Sequence, residues 1–176
     1  MATLFELPQL SYVAPNFADI FVDSLRQYGF AAVVDHPLDS HRVERIYQDW
    51  LAFFASEEVS AFTMDPQRQD GYFSLRSAEH AKGFRVRDFK EYFQFYRWGR
   101  CPDTLRPDLE SHFNSTLMLG ATLLGYIAHS LPTSVSERLT EPLRDMIKGS
   151  QQTMLRVLHY PPIPEDQPVF RAAPHE

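Results

Sequence analysis

A chain of 176 residues, 44% hydrophobic and 14% aromatic, has the length for one compact domain, or one and the start of a second, and the apolar content for a core, which excludes wholesale disorder. Its net charge of −6 is mixed along the chain, and the densest basic stretch (Lys82, Arg85, Arg87, Lys90) is interrupted by Asp88 and Glu91, which argues against nucleic acid or an anionic membrane surface as partner. The lone cysteine, Cys101, excludes an intrachain disulfide and a zinc knuckle and fits a reducing compartment.

The N-terminus carries no basic stretch followed by a long apolar run. The most apolar stretch, Leu117 to Leu131, is broken by Gly120, Gly125 and His129 and is too short for a bilayer, so a soluble, cytoplasmic protein is expected. Leu4 to Leu10 reads as a short edge strand. Asn16 is a candidate N-cap, and Phe17, Ile20, Phe21, Leu25 and Tyr28 then recur at helical spacing up to Gly29, a natural C-cap. Phe30 to Val34 is a continuous apolar run closed by Asp35-His36-Pro37, which predicts a buried strand. Asp39 or Ser40 caps a second helix with a broad stripe of Val43, Ile46, Tyr47, Trp50, Leu51 and Phe54. Ser56-Glu57-Glu58 begins a short helical turn that reaches about Phe62.

Met64 to Arg87 is polar and punctuated by Pro66, Gly71 and Gly83, a loop with a short strand near Tyr72. Tyr92, Phe93, Phe95 and Tyr96 read as a strand. After a loop from Pro102 to Pro107, Asp108 to about Ser130 is the longest helix, with Phe113, Leu117, Leu124 and Ile127 on its apolar face, and Pro132 ends it. Ser134 caps a further helix to Ile147, closed by Gly149. From Gln151 the texture changes. Thr153 to Tyr160 is a strand stopped by Pro161-Pro162, and a proline-rich loop leads to a second short strand at Val169 to Ala172. These two strands have almost nothing to pair with, and an isolated hairpin is marginal. The chain therefore reads as α+β: a mainly helical region over residues 1–150, and over 151–176 the beginning of a sheet that the chain does not complete.

Seven histidines invite a metal search. His41 and Glu44 share a helix face but have no second pair to meet, so they read as surface polar residues. His36 is a turn residue, and His80, His112 and His129 lack partners at ligand spacing. His175 stands at the end of a strand-like segment. A histidine followed two residues on by an aspartate is half of the two-histidine, one-carboxylate triad that holds iron(II), because residues i and i+2 of a strand point the same way. Here the printed sequence stops at Glu176, the intervening position, and taken alone a penultimate histidine is a tail residue.

Three stretches in order change that reading. Phe17 to Pro37 has a helix running into Gly29-Phe30 and an Asp35-His36 turn. Gly71-Tyr72-Phe73 is followed by Lys82-Gly83 and Asp88-Phe89-Lys90-Glu91-Tyr92-Phe93. Met154 to Pro162 reads Met-Leu-Arg-Val-Leu-His-Tyr-Pro-Pro, and its spacing to Ala173-Pro174-His175 matches the approach to a His-x-Asp motif. Together they resemble the isopenicillin N synthase-like subfamily of iron(II) and 2-oxoglutarate-dependent dioxygenases, over essentially the whole chain.

The resemblance implies a helical N-terminal region packed on the first strands of a double-stranded β-helix, or jelly roll, incomplete in this chain. It implies His175 as first iron ligand, Tyr160 as a residue near the co-substrate carboxylate, and Arg156 as a residue directed toward an anionic substrate. For Tyr160 a half-buried strand tyrosine, and for Arg156 a structural ion pair, are the competing readings. Leu158 stands where family members often carry asparagine, so no hydrogen-bonding role transfers there. The cofactors implied are iron(II) and 2-oxoglutarate, with ascorbate as accessory reductant, and the partner is a small organic substrate. The aspartate, second histidine and co-substrate arginine of the family have no counterpart in these 176 residues, so the chain alone is expected to be inactive. The alternative is a non-catalytic interaction module that keeps the N-terminal shape and presents an exposed patch drawn from Tyr92, Phe93, Phe95, Tyr96 and Trp98, although the core is the expected home for most of them.

Overall fold

A computed structural model describes residues 6–77, 88–163 and 171. In chain order the elements are β1 (Gln9–Ser11), α1 (Phe17–Tyr28), β2 (Ala32–Val34), α2 (Ser40–Phe54), a 3-10 turn (Glu57–Phe62), β3 (Gly71–Phe73), β4 (Glu91–Phe95), α3 (Arg106–His129), α4 (Thr133–Ser136) and β5 (Leu155–His159). They form two compact units. The first comprises the described residues of Met1–Asp39 and His112–Ser150, the second those of Ser40–Ser111 and Gln151–Glu176.

In the first unit β1 and β2 pair in parallel, Leu10 opposite Val33, and α1 is the crossover that a parallel pair requires. The apolar stripe of α1 buries Phe17, Phe21 and Val22 with Leu10, and Leu123, Tyr126 and Ile127 of α3 pack on that cluster. Gly29 closes α1 at a positive φ of 77° and returns its N–H to the Leu25 carbonyl, as the sequence predicts. Asn16 does not cap with its side chain. Its backbone carbonyl instead accepts from Asp19 and Ile20 at 3.2 Å each. The expected buried strand is shorter and shallower. Phe30 is 72% exposed, and Ala32 to Val34 are half-buried, since β2 has one short neighbour. The helix expected from Ser134 to Ile147 is one turn, α4, followed by successive turns. Pro142, which lacks an N–H and clashes with the preceding turn, sits in the middle of that span.

The second unit is an antiparallel sheet in the order β3-β4-β5. The sequence leaves β5 almost without partners. Instead it pairs with β4 along its whole length, from Glu91 opposite His159 to Phe95 opposite Leu155. Val169 to Ala172, the expected second strand, lies outside the described residues apart from Arg171.

Cross-strand partners share a face. One face carries Tyr72, Phe93 and Val157 in a row with Glu91 and His159 beside it, and the other carries Phe73, Tyr92 and Leu158 beside Gly71, Gln94 and Arg156. α2 covers the first face: the Trp50 and Phe53 rings lie 4.8 and 5.9 Å from that of Phe93. Its buried line is Ile46, Trp50 and Phe53, with Tyr47 and Leu51 exposed, so the predicted stripe is rotated by about one position. Most of the aromatics read as a possible exposed patch are core, with Tyr92, Phe93 and Phe95 at 1% exposure or less and Trp98 alone at the surface. The chain is therefore mixed helix and sheet. No helix among the described residues is long and apolar enough to cross a membrane.

Candidate functional site

Two of the three stretches that carried the resemblance meet in one sheet, while the first, Phe17 to Pro37, forms α1 and β2 of the first unit. Gly71-Tyr72-Phe73 is β3, Asp88 to Phe93 leads into β4, and Leu155 to Tyr160 is β5 and the residue after it. Gly71 has a φ of 98°, in the left-handed region, and a side chain there would run into the Phe62 carbonyl oxygen, so the start of β3 requires glycine. Just before β4, Asp88 and Lys90 form a buried ion pair of 2.9 Å. Asp70, fully buried, accepts from the Arg100 backbone N–H at 2.7 Å and lies 3.3 Å from an Arg68 guanidinium nitrogen. Buried charges of this kind persist only when paired and hydrogen-bonded.

Two side-chain networks sit on opposite faces of the sheet. On the face away from α2, Phe73 and Tyr92 stack at 4.6 Å, and the Arg156 guanidinium lies 4.5 Å over the Tyr92 ring. Arg156 Nη2 donates to Gln94 Oε1 at 2.6 Å, and Gln94 Nε2 donates to the Gln69 carbonyl at 2.6 Å. The amide of Gln94 is thus oriented from both ends, and it holds the arginine in one pose.

On the α2 face, the two carboxylate oxygens of Glu91 take one partner each. Tyr72 donates to Oε2 at 2.5 Å, and His159 Nδ1 lies 2.7 Å from Oε1. An ionised carboxylate only accepts, so Nδ1 carries the proton. Phe54 stacks nearly parallel to the imidazole at 5.6 Å. Burial first, and then Glu91, push the Tyr72 phenol well above its ordinary value of 10. An apolar hollow of about 150 Å³ lies between α2 and β5 with His159 in its wall.

The sequence-derived site residues fall as follows. Arg156 is in β5 and locked onto Tyr92 and Gln94, and Tyr160 follows β5 directly and is partly buried. His175 lies outside the described residues. Among the described residues no three His, Cys, Asp or Glu side chains gather as a metal site would require, so no metal centre is built from them. His41 and Glu44 are an exposed pair 3.9 Å apart, as a surface reading expects. Burial pushes the Cys101 thiol up to about 12, which leaves it protonated and unreactive at neutral pH.

Sequence reasoning passed over Glu91, His159, Gln94 and Tyr92 as site residues. The available signal was polar residues inside two apolar strands: Glu91 and Gln94 interrupt an aromatic run, and His159 interrupts an aliphatic one. Which of them meet depends on a register between strands 62 residues apart, and local pattern does not give that.

A family profile described as "non-haem dioxygenase in morphine synthesis N-terminal" matches residues 4–113, more than half of the chain. Jasmonate-induced oxygenase 1 of Arabidopsis thaliana is 23% identical over 165 residues, covering 87% of this chain and 40% of its own length. A solved candidate oxygenase from Shewanella oneidensis is 37% identical with a TM-score of 0.82, over 93% of this chain and 57% of that one. A solved candidate 2OG-Fe(II) oxygenase family protein from Caulobacter crescentus is 26% identical with a TM-score of 0.66, over 91% and 58%. The chain thus spans 40–58% of the length of these relatives.

Proposed function

The chain belongs to the non-haem dioxygenase family through that family's N-terminal region, and on this premise we propose that it is the N-terminal part of an iron(II) and 2-oxoglutarate-dependent oxygenase acting on a small organic substrate. Residues 1–150 are the helical region in this reading, and 151–176 open the jelly-roll core. The observation that supports it best is the assembly of the second and third of those stretches into adjacent strands, with Arg156 held in one pose on the face away from α2.

In this reading His175 is the first iron ligand, Tyr160 contacts the co-substrate carboxylate through its hydroxyl, and Arg156 faces an anionic group of the substrate. Iron(II), when bound, would supply the oxidising chemistry with 2-oxoglutarate and dioxygen as co-substrates, one oxygen atom ending in succinate as carbon dioxide leaves and the other going to oxidise the substrate. The part played by these residues is to bind and orient. The Tyr92 ring and the Gln94 amide pre-set the guanidinium, so less side-chain freedom is lost when an anion is bound. The protein is read as cytoplasmic.

These 176 residues do not contain the second histidine and the carboxylate at His-x-Asp spacing that a facial triad needs. Supplied with iron(II), 2-oxoglutarate and ascorbate, the chain alone forms no succinate above blank. The same chain extended in frame through an aspartate directly after Glu176, a later histidine and an arginine turns over, and His175→Ala abolishes this. Turnover by the 176 residues alone, or none by the extended protein, overturns the respective half of the reading.

A further inference from the structure

We propose that Glu91 and His159 are positioning residues for Tyr160, their bond fixing the direction in which the chain leaves β5; this rests on the reading of Tyr160 as a 2-oxoglutarate contact. His159 is the last residue of β5, and its partner Glu91 is the first of β4, so the two close the final rung of the ladder. Strand ends fray, because the last rung is restrained from one side only. Here the last rung carries a side-chain bond as well, His159 Nδ1 to Glu91 Oε1 at 2.7 Å.

The bond is itself held from two further elements. Tyr72 occupies the second oxygen of Glu91 from β3, which stops the carboxylate from swinging. Phe54 covers one face of the imidazole from α2. Glu91 and His159 are mostly buried, with side chains 12% and 27% exposed, so water competes weakly for the bond. Beyond the rung Pro161 confines Tyr160 to extended backbone. With His159 fixed on the α2 face and Tyr160 extended, alternation turns Tyr160 to the opposite face, the face of Arg156. The pair thus acts at a distance of one residue, through backbone direction.

The test is calorimetric titration of 2-oxoglutarate, without oxygen, into the full-length iron-loaded protein, alongside thermal melts. His159→Phe and Glu91→Leu weaken binding roughly tenfold, the scale on which partners of a functional side chain act. His159→Asn, whose amide nitrogen can stand at the Nδ1 position, restores most of the affinity, whereas His159→Gln, whose nitrogen reaches further, does not. Tyr160→Phe separates the two readings. If it leaves affinity unchanged, the assignment of Tyr160 falls and the proposal with it. If it weakens binding while His159→Phe binds as the natural protein does, only the proposal falls. A lowered melting temperature with unchanged affinity marks a merely structural pair and overturns it, as does an Asn variant no better than Gln. Should His159→Phe fail to fold, the Asn and Gln variants still decide.

Discussion

The two units are held together differently. The first gathers Leu10, Phe17, Phe21 and Val22 into one small cluster ringed by half-buried neighbours, and Ser24, which donates to the Phe30 carbonyl at 2.7 Å, is the polar residue buried on α1. The second buries a larger aromatic set around Phe93 and, with it, Asp70, Asp88, Lys90, Glu91 and Gln94. Apolar packing alone tolerates rearrangement, whereas a satisfied polar network admits few alternatives. The unit that carries the second and third of the stretches behind the resemblance is the one whose geometry is over-determined.

The comparison is sharpest in the cores. Phe93 is fully buried, its ring surrounded by those of Trp50, Phe53 and Phe62 at 4.8, 5.9 and 6.3 Å. Phe93→Ala should cost about 4–5 kcal/mol, the upper end for a buried phenylalanine, because rigid rings cannot close the cavity. Phe21 stacks on Phe17 at 5.6 Å among half-buried aliphatics that can collapse inward, so Phe21→Ala should cost about 3 kcal/mol. Urea unfolding of both variants measures this, and equal losses would break the contrast.

Glycines give the next effect. At Gly71 a side chain meets both a positive φ of 98° and the Phe62 carbonyl, and Gly71→Ala should destabilise by about 3 kcal/mol, the top of the range for local strain. Gly29 has a φ of 77° and open space around it, so Gly29→Ala should lose only about 1 kcal/mol. Denaturation midpoints rank the two, and the reverse order would show that the second unit yields more easily than its packing suggests.

What was legible in the sequence follows the same division. Gly29 announced its helix end, Ser40 and Phe54 bounded α2, and the aromatic run gave β4, because each is a local preference. The rotation of α2 onto Ile46, Trp50 and Phe53 was not legible, since a stripe broad enough to include Tyr47 and Leu51 does not say which edge is covered. The pairing of β5 with β4 was missed because its partner lies some sixty residues away, and with it went the bonds from Glu91 to His159 and from Gln94 to Arg156. Arg156 and Tyr160 were reached through a motif, and the residues that hold Arg156 only through register.

The smallest effect separates the units at their surfaces. In the first, Thr122 of α3 donates its hydroxyl to the Met118 carbonyl at 3.1 Å, a bond between two uncharged groups. In the second, Asp108 near the start of α3 receives Arg45 at 3.1 Å on both oxygens and Arg42 at 3.2 Å. The bond from Arg45, then that from Arg42, hold the Asp108 carboxyl below its ordinary value of 3.8. A lowered carboxyl stabilises the fold in full above the unfolded value and loses that contribution as pH falls through the folded one. Asp108→Asn should therefore be slightly less stable than the natural chain near neutrality and converge with it in acid below about 3.8, whereas Thr122→Val should differ from it by a constant amount. Added salt should shrink the Asp108 difference and leave the other almost untouched, because it screens a pair of charges more than a bond to a neutral carbonyl. Thermal melts of both variants across pH and salt test this, and an Asp108→Asn difference that persists unchanged into strong acid would mean that the carboxylate's charge is not what ties the start of α3 to α2.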